Sequence, residues 1–262
     1  MDILYLMIFI ICLLSTIVGS AIGIGGSIII RSLIDALGLF DVSVLRTMTS
    51  CVVFTMALTS STKNAMVKIR PQFTLEFIIS GGAIIGGISG KLAFNMCLSI
   101  VKDEKMIRFA QQIVCLIMLL LILAYLIYKH NIQTRKVKHP PVVFVLGFIL
   151  GLTSSFVGIG GGLMNLVCLY YCFSLDSKDA AIVSKRIIVL THAPGIMIEV
   201  IDGSLLSQNL LILGIMIVGA SAGGWIGSML SHKLPNAVLD KMVMLVTLVV
   251  IGITTCSIYK LM

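Results

Sequence analysis

Three cations in this chain, Arg31, Lys185 and Arg186, lie within apolar stretches rather than in the polar gaps that separate them. A charge at membrane depth is costly enough that its default reading is functional, as counter-ion to something that travels or switches. Two glycine clusters lie near them. Gly158-Ile159-Gly160-Gly161-Gly162 follows a near copy, Gly23-Ile24-Gly25-Gly26-Ser27, by 135 positions. Glycine is costly in a helix interior, so each cluster reads as a break in an apolar helix. A break offers backbone N–H groups, and the helix that restarts after it presents the positive end of its dipole. Fixed cations, amides and hydroxyls in a dehydrated place form a chemistry suited to holding an anion.

The candidate contacts follow from that chemistry. Gly23, Gly25 and Gly26 in the first cluster, and Gly158, Gly160, Gly161 and Gly162 in the second, would turn backbone toward the ligand. Ser27 adds a hydroxyl and Asn165 an amide, while Thr49, Ser50 and Ser184 sit near the starts of the helices that follow. Lys185 carries most weight among the cations, because the repeat offset puts it opposite Ser50, and Arg186 is next to it. Each has a plainer reading. The hydroxyls can bond back to the preceding turn, the cations can snorkel to headgroups, Asn165 can bridge two helices, and the glycines can serve packing alone. His192 and Glu199 are seven apart, on roughly one helix face, and could relay a proton. A satisfied core histidine and a solvated glutamate near the helix end are the favoured alternative.

The elements that must hold these residues are transmembrane helices. The 262 residues are 58% hydrophobic and 11% charged, against roughly 25% charged in ordinary soluble domains. Apolar runs recur at spanning length, so the chain is a multi-pass membrane protein. The first run, after acidic Asp2 and without a preceding basic residue, reads as a retained span rather than a cleaved signal. Seven scattered cysteines form no CxxC pair. Cys168 and Cys172 could share a helix face but lack His or acidic companions at ligand spacing, so no metal or other cofactor is expected. The net charge of +8 lies mainly between spans, as membrane orientation requires, and nucleic acid is set aside.

Helices are expected at 3–21, 44–65, 73–93, 107–128, 142–156, 180–200 (with Pro194 as a kink), 205–230 and 236–259, with short apolar pieces at 28–39 and 163–173. Residues 129–141 form a basic, acid-free linker ending Pro140-Pro141, the best candidate for a cytoplasmic loop. It separates a first transmembrane repeat, 1–128, from a second, 142–262. A second pattern supports the duplication: Gly82-xxx-Gly86-Gly87-xx-Gly90 recurs as Gly219-xxx-Gly223-Gly224-xx-Gly227. Small residues at this spacing also let helix backbones approach closely in lipid. A short piece of twelve residues gives about 18 Å of helix, less than the ~30 Å hydrocarbon core. The fold is therefore read as all-α, with about eight transmembrane helices in two homologous four-helix halves and re-entrant segments after the glycine breaks. Damage at matching points of two halves is the pattern of a transporter binding site.

These motifs resemble those of the sulfite exporter TauE/SafE family, also called the toluene-sulfonate uptake permease family. The resemblance rests on Gly23-Ile24-Gly25-Gly26, on Gly158 to Gly162, on the paired glycine helices and on Thr49-Ser50, and covers essentially the whole chain. Departures are Ser27 for the last glycine of the first motif, Ser32 and Val167 where the family often has proline, and Ser184-Lys185 where the second half would show Thr-Ser. The resemblance implies a plasma-membrane secondary transporter of small anions such as sulfite or sulfonates. It implies coupling to a proton or sodium gradient, and a homodimer is compatible with it. The rivals are an anion channel, a non-transporting membrane scaffold, and an intramembrane enzyme. An enzyme would want paired membrane aspartates or a Ser–His pair, whereas Asp176, Asp179 and Asp202 all fall at turns.

Overall fold

The computed structural model describes residues 2–37, 40, 42–65, 73–100, 104–129, 132–157, 161–201, 203, 205–206 and 209–261. Gly158 and Gly160 lie outside the described residues, as do Asp41 and Asp202. Among the described residues there are ten helices and no strand. They are α1 (Asp2–Ile22), α2 (Ser27–Leu37), α3 (Val42–Ala65), α4 (Phe73–Ile100) and α5 (Glu104–Tyr128), then α6 (Pro140–Val157), α7 (Gly162–Phe173), α8 (Ser177–Ile201), α9 (Leu210–Lys233) and α10 (Asn236–Leu261). Six of them, α1, α4, α5, α8, α9 and α10, are long and apolar enough to cross a membrane. Of the other two helices expected to span, α6 is short, and α3 carries Arg46, Lys63 and a run of Ser and Thr.

Differences from the expected boundaries have local causes. Helix α4 runs seven residues past Ala93, since Lys91 and Asn95 do not end it. Helix α8 starts at Ser177 because the Asp176 carboxylate accepts from the Asp179 amide at 2.8 Å, an N-cap bond. Helix α9 starts at Leu210, later than expected, because the Asn209 side chain accepts from the amides of Leu211 and Ile212. Helix α8 continues through Pro194, which has no N–H for the preceding turn.

Two glycine seams decide the packing. A Cβ on Gly82 or Gly86 of α4 would run into the Phe144 or Phe148 carbonyl of α6, and one on Gly147 or Gly151 of α6 would run into Ile79 or Ala83 of α4. The second seam joins α1, α3 and α9. A Cβ on Gly223 would meet Thr16, one on Gly224 would meet Thr59, and one on Gly227 would meet the Ile17 carbonyl. Side-chain bonds reinforce this seam: Ser20 donates to the Gly224 carbonyl at 2.9 Å. Lipid offers no hydrophobic drive for helices to pair, so this close approach is what holds them together.

Helix α8 crosses between the seams, packing on both α3 and α4. Its first turn is fastened at one end of the molecule. Asp240 of α10 accepts from Lys129 Nζ at 2.8 Å and from Ser177 Oγ at 2.5 Å, and Lys129 lies 4.0 Å above the Tyr170 ring. The linker is tied to the same end, with the Arg135 and Val137 amides donating to the Tyr171 and Cys172 carbonyls.

Candidate functional site

Helices α2 and α7 restart after the two glycine breaks, and the breaks touch: a Cβ on Gly162 would overlap the Ile24 carbonyl. Beside this junction is a cavity of about 350 Å³. Ser27, the first residue of α2, and Asn165, in the first turn of α7, face it from the breaks. Thr49 and Ser50 line it from α3, and His192 and Glu199 from α8. Six of the residues singled out from the sequence thus come together.

The rest of that set is elsewhere. Gly23 packs on Ala181, Gly25 against Val53 and Ile188, and Gly26 on the Ser15 carbonyl, all three with positive φ. The amides of Ile24 and Gly25 already donate to the Gly19 carbonyl, so that pair is not offered to a ligand. Gly161 borders the cavity wall at Ser154. Ser184 donates to the Gly23 carbonyl at 2.7 Å. Lys185 is fully buried with Nζ on the Ser20 carbonyl at 3.0 Å, and is not part of the cavity lining. Arg186 pairs with the buried Glu76 of α4 at 3.0 Å. Neither cation snorkels; both are used as ties between helices. Arg31 also does not line the cavity.

The charges that do line the cavity are Arg46, Lys91 and Glu199. Arg46 Nη2 donates to the Ser155 carbonyl at 2.9 Å, and Gln111 of α5 donates to Phe156 at 2.8 Å. Between them they satisfy two of the last carbonyls of α6 at its negative end. Lys91 Nζ is 3.7 Å from Glu199 Oε1. Glu199 is 7% exposed, so it is not the solvated glutamate of the plainer reading. Thr49 bonds back to Leu45 and Arg46, as its plainer reading holds, and His192 Nδ1 lies 3.0 Å from the Ile188 carbonyl. Ser154, Ser155 and Thr191 add polar groups that the sequence did not single out.

The missed cations had a faint signal. Lys91 follows directly on the glycine pattern of α4, but a helix ending near Ala93 makes it look interfacial; the helix in fact continues for nine residues beyond Lys91. Arg46, in the second turn of α3, looks like an ordinary end-of-helix cation until α6 is seen to end against it.

The family model for the sulfite exporter TauE/SafE matches residues 8–254, nearly the whole chain. The chain belongs to the sulfite exporter TauE/SafE family. As a TauE/SafE member with six apolar helices of spanning length among its described residues, it is a multi-pass protein of the plasma membrane. Searches of curated proteins and of solved structures found no match.

Proposed function

We propose that this TauE/SafE protein is a secondary transporter for small anions, and that the cavity between α3, α4, α6 and α8 is its substrate site. The observation that carries this is the pair of cations, Arg46 and Lys91, placed with Ser50, Ser154 and Asn165 around a cavity in apolar helices. Arg46 offers a planar fork of N–H donors and Lys91 a movable ammonium, a combination suited to sulfonate or carboxylate oxygens. The N-terminal ends of α2 and α7 add positive potential from the breaks. On this reading α6 enters from the linker end and α7 returns to it as a broken hairpin, since the Tyr171 and Cys172 carbonyls accept from the linker amides of Arg135 and Val137, and α1 with α2 form the counterpart in the first half. Helix α2, at eleven residues, is only roughly 16 Å long.

Coupling to a proton gradient is part of the proposal, because His192 and Glu199 line the same cavity as the cations. Uptake into proteoliposomes of sulfite, thiosulfate, sulfonates and carboxylates, with and without a pH gradient, tests it. At least one anion is expected to move saturably and faster with the gradient. No flux of any anion in either direction would end the transporter reading, and flux indifferent to the gradient would end the proton coupling.

A further inference from the structure

The cavity is not a uniform basic pocket. Its described lining carries three formal charges, Arg46 and Lys91 positive and Glu199 negative, with His192 counted neutral. The formal sum is +1. Helix ends change this little: α2 and α7 point N-termini at the site and α6 points a C-terminus, together adding about half a charge. Glu199 is 7% exposed and held near Lys91, so water does not screen its charge as it would at a surface. An entering anion must share the two cations with a carboxylate that is already there.

Size and polarity point the same way. The volume of about 350 Å³ is at the small end of pockets that hold organic ligands. A bare oxyanion displaces only two or three waters of ~30 Å³ each, and would leave most of that space to solvent. The lining also carries apolar side chains, Ala83, Ile84 and Ile88 of α4 with Leu150 and Ile187. The lining thus offers both polar partners for an acid group and apolar surface for a hydrocarbon body.

We infer that the site selects by valence, taking an organic anion with one negative charge on an apolar body, and that Glu199 is the residue that rejects a second charge. The inference rests on the proposed role of this cavity as the substrate site. A monovalent anion brings the site to neutrality, whereas a divalent one leaves it with an uncompensated negative charge in apolar surroundings, where such a charge is most costly.

The test is equilibrium binding to the purified full-length protein in mildly alkaline buffer, using benzenesulfonate, benzenedisulfonate, sulfate and sulfite. Benzenesulfonate is expected to bind at least about tenfold more tightly than any of the three divalent anions, the order of effect of one unit charge at close range in a partly buried site. Glu199→Gln is expected to close most of the gap for benzenedisulfonate, while Lys91→Gln weakens all four. Divalent anions binding as tightly as benzenesulfonate to the wild type would overturn the inference, as would no binding by any of them. A gap unchanged in a folded Glu199→Gln protein would remove Glu199 from the role. Should that variant not fold, the wild-type comparison still decides the valence. Counterflow of benzenesulfonate in proteoliposomes without a pH gradient separates the two levels: tight, valence-selective binding with no flux would sink the transporter reading and leave the selectivity in place.

Discussion

Arg46 and Arg186 are both arginines at a helix–helix contact, yet the structure gives them different work. Arg46 closes the end of α6 and faces the cavity. Arg46→Gln keeps a donor for the Ser155 carbonyl but removes the charge, so the expected result is a KM for the anion raised about tenfold or more, with the amount of folded protein kept. A charge-assisted hydrogen bond is worth about 1.5–3 kcal/mol. Saturation kinetics on reconstituted protein check this, and an unchanged KM would take Arg46 out of the site. Arg186 binds the buried Glu76 away from the cavity. Arg186→Ala strands a carboxylate that is 3% exposed, a loss of about 3–5 kcal/mol. The expected outcome is a sharp drop in thermal stability, partly recovered when Glu76→Gln is added. A double variant no more stable than Arg186→Ala would show that the pair is not coupled.

At the scale of elements, the glycine seams explain why the paired Gly-xxx-Gly-Gly-xx-Gly pattern is present at all. Gly86→Val would drive a side chain into the Phe148 carbonyl, and is expected to cost about 1–3 kcal/mol or more by overpacking. Gly252 on α10 has nothing within 4 Å of the position a Cβ would take. Gly252→Ala is therefore expected to be neutral or to stabilise by about 0.5–1 kcal/mol through helix propensity. Thermal unfolding in detergent followed for both variants gives the answer; equal effects would mean that the seam is not what the glycines serve. The helices themselves were legible in the sequence because apolar run length and capping residues such as Asp176 are local signals. That α4 and α9 pack closely was legible too, as small residues at regular spacing, but their partners α6 and α1 were not. The site was legible only in part. Ser27 and Asn165 could be picked out beside a break, Ser50 near a helix start and Glu199 after a proline, but the depth of Lys91 depends on where α4 ends, and the role of Arg46 on which helix finishes against it. Lys185 illustrates the opposite case: a cation at the repeat position matching Ser50 has its ammonium turned onto the Ser20 carbonyl instead.

Taken as a whole, the molecule is unlike at its two ends. The cavity is lined by the first turns of α3 and the later turns of α4, α6 and α8, while the first turn of α8 is clasped by Asp240 and Lys129 at the other end, beside the basic linker. We propose, from its charge, that the linker is cytoplasmic, which turns the cavity toward the outer face. In intact cells, a membrane-impermeant thiol reagent is expected to label Ser154→Cys, in a chain whose native cysteines are replaced by serine, and to spare Ser177→Cys. Labelling of position 154 only in inverted vesicles would reverse the orientation. The seams also limit how such a molecule can move. Where the carbonyl of one helix occupies the space a neighbour's Cβ would fill, the two backbones are keyed like teeth, and sliding by less than a full helical turn would drive atoms into one another. Helices α4 and α6 must then travel as one rigid slab, and α1 with α9 as another. Any passage from one face of the membrane to the other is left to the joint between the slabs, which is where α8, the touching breaks and the cavity all lie.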